Sequence, residues 1–216
     1  MPVAKAEPAD ASPSDPLTIL RSRSYVVLLV MAALVGVPVS AAAFGFLALV
    51  ADLQPNLYTD LPKALGFHGT PSWWPLPLLA VGGLLVGLTV QYLPGRGGHE
   101  PSGGFKADAG APTPVELPGV FFAALATLAF GAVLGPEAPL IALGGGLAAG
   151  ALRLVKRDAP ERATAMMGAA GSFAAVSSLL GSPLLGAFLL MEASGLGGAT
   201  LALVLVPGLL AAGIGA

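Results

Sequence analysis

The chain reads as an all-α, polytopic helical membrane protein, and three observations carry that reading. Apolar residues make up 55% of the 216 positions and charged residues 10%, with a mean hydropathy of +0.82, well outside the soluble globular average. Uncharged stretches separate Arg23 from Asp52, Lys63 from Arg96, Glu116 from Glu137 and Arg162 from Glu192, and another follows Glu192. Most are long enough for the roughly 20 helical residues that cross a hydrocarbon core. They are continuous rather than alternating, which argues against a transmembrane β-barrel. Finally, 30 Gly and 20 Pro imply close-packed and often broken helices, because small residues let backbones approach and breaks survive where they line protein or a cavity.

The same composition excludes several functions. A net charge of −2 without any basic stripe gives no reason to expect nucleic acid as a partner. The absence of Cys removes disulfides, thiolate metal sites and cysteine nucleophiles, and two histidines, His68 and His99, are too few for a metal cluster. No paired intramembrane carboxylates and no Ser-His arrangement at one depth are present, so neither an enzyme nor a bound cofactor or metal is expected.

Residues 1–16 are rich in Ala, Pro, Ser and Asp and are expected to form a disordered cytoplasmic tail, with residues 17–216 forming one transmembrane domain. Arg21 and Arg23 precede the first span, Tyr25 to about Val50. The positive-inside rule then places the N-terminus in the cytoplasm of a multi-pass cell-membrane protein. Asp52 to Pro75 is polar and punctuated by prolines, so it is expected to be an outer connection, with Trp73 and Trp74 as an interfacial pair and His68 solvated. A second span covers about Leu76 to Leu93. The segment Gly95-Arg96-Gly97-Gly98-His99-Glu100-Pro101-Ser102 follows. Its glycines can expose amide groups, a recurring way to hold anions, although a plain flexible loop has the same composition.

A third span is expected over Leu117 to Leu134, leading into Gly135-Pro136-Glu137-Ala138-Pro139. Gly135-Pro136 breaks the helical run, and Pro136 suits the first position of the next helix, which should continue to about Val155. Arg153, Lys156, Arg157 and Arg162 mark the cytoplasmic side again. Arg162 to Leu180 is a small-residue helix containing Gly168, Gly171, Ala174 and Ala175, broken by Gly181-Ser182-Pro183, and a final apolar segment covers Ala199 to Ala216.

Glu137 is the candidate functional residue. A carboxylate inside an apolar run is costly and usually faces a cavity or a pathway. At a helix start it stands where open N–H groups and the helix dipole attract anions, so it can act as a protonatable competitor for an anion site. The alternative is that it caps a buried helix and does nothing more.

Gly135 to Pro139 resembles the Gly-Arg/Lys-Glu-Gly-Pro signature of the CLC family of chloride channels and proton/chloride antiporters. Gly97 to Pro101 falls where that family carries Gly-Ser-Gly-Ile-Pro, and Gly181 to Glu192 resembles its Asn-Ala-Pro-Leu-Ala-Gly segment with the following glutamates. The resemblance implies a gate at Glu137. It implies an outer anion cradle at Gly135, Pro136 and Ala138, and an inner anion loop at Gly97, Gly98, His99, Glu100 and Pro101, with chloride or another small anion as the ligand. Three departures matter. Gly98 stands where the family has a coordinating serine, Pro136 replaces a basic residue, and Ala193 stands where antiporters carry a second, proton-transferring glutamate, which favours passive conduction. The family fold has two inverted repeats, and this chain resembles the first; no Gly-x-Phe-x-Pro of the second occurs. Expected partners are therefore the bilayer and either a second copy, as a homodimer, or a polypeptide supplying the second repeat.

Overall fold

The computed structural model describes residues 22–96, 111–194 and 198–215, and among these the chain is helical with no strand. The proposed tail, residues 1–16, and the loop Gly97 to Pro101 lie outside the described residues. The helices are α1 (Arg23–Pro55), α2 (Leu61–Ala64), α3 (Pro75–Tyr92), α4 (Leu117–Ala129), α5 (Glu137–Val155), α6 (Glu161–Leu180), α7 (Pro183–Ser194) and α8 (Gly198–Gly215), with a π-helical turn, Asn56–Asp60, joining α1 to α2. Among the described residues, four helical stretches are long and apolar enough to cross a membrane: Arg23–Ala64, Pro75–Tyr92, Glu137–Val155 and Glu161–Leu180.

The organising element is α6, which packs against α1, α5, α7 and α8. Its sequence is dominated by Gly, Ala and Ser, and small residues are what permit such crowding where lipid offers no hydrophobic drive to association. Met167, Ala170, Ala174 and Ala175 of α6 join Ala32, Val39 and Ala43 of α1, Leu140 and Ala148 of α5 and Ala211 of α8 in one buried cluster. Polar atoms tie the layers together. The Ser172 hydroxyl donates to the Ile141 carbonyl of α5 at 2.9 Å, and the Ser40 hydroxyl of α1 reaches the Ala174 carbonyl of α6 at 3.4 Å. By contrast α3 packs chiefly on α4 and leaves Leu76, Leu79, Leu84 and Leu88 exposed, a surface suited to lipid.

Two boundaries differ from those the sequence suggests. The first helix does not stop near Val50: it runs through Asp52 to Pro55, and the path stays helical to Ala64. Pro62 would clash with the carbonyl four residues back in an α-helix, and the chain widens there into a π-helical turn closed by the Leu61 N–H on the Asn56 carbonyl. The loop behind it satisfies the freed carbonyls. Thr70 Oγ1 donates to Tyr58 O, and the Trp74 indole N–H donates to Leu57 O at 3.0 Å. Trp74 is consequently buried, and only Trp73 of the expected interfacial pair is exposed. His68 is exposed, as expected.

The second difference is α4, which ends at Ala129 although the apolar run continues to Leu134. Gly131 adopts φ +86°, and its N–H bonds Leu128 O while the Ala132 N–H bonds Thr127 O. That is a Schellman stop, which a left-handed glycine makes available. With 13 residues α4 is roughly 20 Å long, too short for a hydrocarbon core of roughly 30 Å. Elsewhere the expected and observed boundaries agree closely. Gly181 (φ +64°) ends α6, and Ser182 caps α7 by accepting from the Leu185 N–H at 3.4 Å.

Candidate functional site: a broken helix start around Glu137

Between Phe130 and Pro136 the backbone is not helical, and α5 then begins at Glu137 with Pro136 as its N-cap. Pro136 thus sits one position earlier than the sequence suggests, and its carbonyl accepts the first helical bond, from the Leu140 N–H at 3.0 Å. No side chain caps this start. A helix ordinarily leaves four N–H groups open at its beginning, and here the four positions are Pro136, Glu137, Ala138 and Pro139. Two are prolines, so only the amides of Glu137 and Ala138 remain as donors.

The Glu137 side chain turns back toward the beginning of its own helix. Its Oε2 lies so close over Gly135 that a Cβ on Gly135 would collide with it. Glu137 is half-buried, and among the described residues it makes no hydrogen bond or ion pair. Gly135 and Ala138 are exposed, Pro136 half-buried, and Val133 and Leu134 before them stand exposed as well. The carboxylate therefore occupies an uncapped, dipole-positive helix start, and the apolar surface beside it is uncovered by any described residue. Glu137 lines neither an apolar cavity of about 350 Å³ between α1, α4 and α5 nor a more polar one of about 640 Å³ beside Gly131.

The four outer candidates, Gly135, Pro136, Glu137 and Ala138, form one contiguous turn. The inner candidates, Gly97, Gly98, His99, Glu100 and Pro101, lie outside the described residues, so their distance from Glu137 is not part of the geometry. Glu192, near the end of α7, is exposed. No group of three or more metal-ligating side chains occurs among the described residues.

Residues that the sequence did not single out hold the approach to the site. Gln54 Nε2 of α1 donates to Leu128 O at 3.0 Å, and the Tyr58 hydroxyl of the π-helical turn donates to Phe130 O at 2.8 Å. The Phe130 carbonyl is left without a helical donor by the end of α4, where a helix terminus needs partners, whereas the Leu128 carbonyl already accepts from the Gly131 N–H and takes Gln54 as a further donor. The signal available in sequence was slight: two polar side chains in a stretch that reads as a loop, more than 70 residues from their acceptors.

The two ends of the helical bundle carry different charges. α1 begins beside Met166 and Leu203, the end of α3 meets the beginning of α4 where Gly119 abuts the Pro94 carbonyl, and the last turns of α5 lie on Pro112 and Pro114. Arg23, Arg96, Arg153, Lys156, Arg157 and Arg162 therefore collect at one end, and Lys63 alone of the described basic residues is at the other.

Helices throughout the described residues, several of them long and apolar enough to cross a membrane, define a multi-pass membrane protein. Residues 82–216, more than half of the chain, match the family model described as voltage gated chloride channel, and the chain belongs to that family. Among curated proteins it is similar to those named "Putative ion-transport protein YfeO" from Salmonella paratyphi A and Salmonella typhimurium. Each is 31% identical over 130 residues, which cover 60% of this chain and 31% of the relative. The matched segment thus spans about a third of those relatives' length.

Proposed function

We propose that this chain supplies the first half of an anion pathway across the cell membrane, in which Glu137 is a protonatable gate. The observation that carries the reading is the placement of the Glu137 carboxylate, unpaired among the described residues and folded over Gly135 at the uncapped start of α5. A carboxylate there competes with a permeating anion for the Glu137 and Ala138 amides; protonation removes its charge and yields the place. Family membership and the printed names of the relatives support ion transport, and chloride follows from the family's description. The absence of a second glutamate at Ala193 favours passive conduction over proton-coupled exchange. The basic end of the bundle supports a cytoplasmic N-terminus under the positive-inside rule.

A second half is part of this reading. Transporters built on inverted repeats place the ion site at the interface between the repeats. The uncovered Val133 and Leu134 beside Glu137 are the surface such a repeat would cover, whether it follows in the same polypeptide or comes from another; a homodimer follows once both halves are present.

The test is valinomycin-supported chloride efflux from liposomes, with the chain alone and with any polypeptide that co-purifies with it. The wild type should conduct more at acid than at neutral pH, and Glu137→Gln should conduct equally at both. An acid response that survives in Glu137→Gln would remove the gate assignment. Conduction that appears only with the co-purified polypeptide would identify this chain as a half-protein, and conduction by the chain alone would overturn the need for a second half.

A further inference from the structure

We infer that Tyr58 is a positioning residue for the gate, acting through the linker that carries Glu137. The inference rests on the gate reading above and adds to it the element that fixes the linker. Residues 130–136 connect the Schellman stop of α4 to α5, and their first carbonyl, that of Phe130, is the acceptor for the Tyr58 hydroxyl at 2.8 Å. The next residue, Gly131, packs so closely on that hydroxyl that any side chain there would collide with it. Tyr58 therefore holds the linker by a hydrogen bond and by contact at the same point, and six residues separate Phe130 from Glu137.

Tyr58 is itself held. It lies in the π-helical turn, its carbonyl accepts from Thr70 Oγ1, and the Leu57 carbonyl beside it accepts from the Trp74 indole. π-Helical turns are uncommon and gather at functional places. This one rotates a tyrosine out of α1 and onto the end of α4. The result is a continuous physical path from the loop at residues 65–74, through the π-helical turn and the Tyr58 hydroxyl, to the linker and the Glu137 carboxylate. The titratable groups on the elements around that end are Asp52, Tyr58, Asp60, Lys63 and His68. None of them makes a hydrogen bond or ion pair to Glu137, so Tyr58 acts on the gate by geometry rather than by charge.

Tyr58→Phe keeps the ring against Gly131 and removes only the hydroxyl. With the linker released, the Glu137 carboxylate spends less time over Gly135. Flux at neutral pH relative to acid pH is expected to rise about fivefold, the factor that one net hydrogen bond is worth. The same variant in a Glu137→Gln background should leave the pH profile flat. A readout independent of transport is hydrogen exchange at the Gly131 and Ala132 amides, which should quicken by a similar factor in both backgrounds.

Three results would overturn the inference: unchanged exchange in Tyr58→Phe, faster exchange with an unaltered pH profile, or a change of profile that persists without Glu137. Its failure is distinguishable from failure of the gate. If Glu137→Gln flattens the profile while Tyr58→Phe does nothing, Tyr58 alone is dismissed; if Glu137→Gln does nothing, the gate and the positioning role fall together.

Discussion

Gly144 of α5 and Gly171 of α6 face each other so closely that neither could carry a side chain: a Cβ on Gly144 would stand 2.5 Å from the Gly171 carbonyl oxygen, and one on Gly171 would collide with that of Gly144. This reciprocal approach sets the spacing of the most extensive helix pair in the fold. It also allows the Ser172 hydroxyl, one residue on, to reach the Ile141 carbonyl.

Gly171→Ala and Gly144→Ala should therefore each destabilise the protein by about 1–3 kcal/mol, the range for overpacking a filled interior. Unfolding by denaturant in detergent micelles would measure it. Gly87 of α3, with nothing near the position of its missing Cβ, is the control, and Gly87→Ala should gain up to about 1 kcal/mol from helix propensity. Equal stabilities for the Gly87 and Gly171 variants would contradict the packing argument.

Gly135→Ala tests the resting place of the gate without altering its chemistry. A methyl group there takes the space of Glu137 Oε2. The carboxylate must move off the start of α5, so chloride flux at neutral pH should rise toward the acid value. Stability should change little, because Gly135 is exposed and its φ is not in the left-handed region. A Gly135→Ala protein with the wild-type pH profile would mean that the carboxylate over Gly135 is not what obstructs the path.

Trp74→Phe retains an aromatic ring but leaves the Leu57 carbonyl without its donor. The expected cost is about 1 kcal/mol. Exchange should quicken first at the amides of the π-helical turn, which hydrogen-exchange mass spectrometry resolves. Quickening spread evenly along α1 would instead indicate a general loss of packing.

The orientation is open to a direct check, because a chain without Cys accepts single reporter thiols. Ser72 and Asp158 are exposed at opposite ends of the bundle. In intact cells an impermeant maleimide should label Ser72→Cys, whereas Asp158→Cys should react only after permeabilisation. The reverse pattern would invert the topology.

Much of this architecture is legible in sequence where the physical signal is local. Continuous apolar runs locate α3, α5 and α6 because a membrane requires about 20 apolar helical residues and tolerates few charges. Glu137 stands out for the same reason. The end of α4 was harder to read: the apolar run continues to Leu134, while the stop depends on Gly131 adopting a left-handed conformation against Tyr58. Asp52 to Ala64 misleads in the opposite sense. Its prolines and acids signal a loop, yet the helix continues because carbonyls freed by the widened turn find donors in Thr70 and Trp74. Gln54 and Tyr58 carry little signal in the sequence for a related reason, since their value lies in acceptors distant in sequence and no spacing rule connects them.

The two prolines that bracket the first turn of α5 shape how an anion would experience the place. In the proposed pathway, with only two amides offered, an arriving ion would exchange a small part of its water shell and be held in a shallow well. Its residence would be brief and its passage quick. Discrimination falls to the ion's own reluctance to shed water, so large, weakly hydrated anions such as thiocyanate and nitrate would be favoured over chloride.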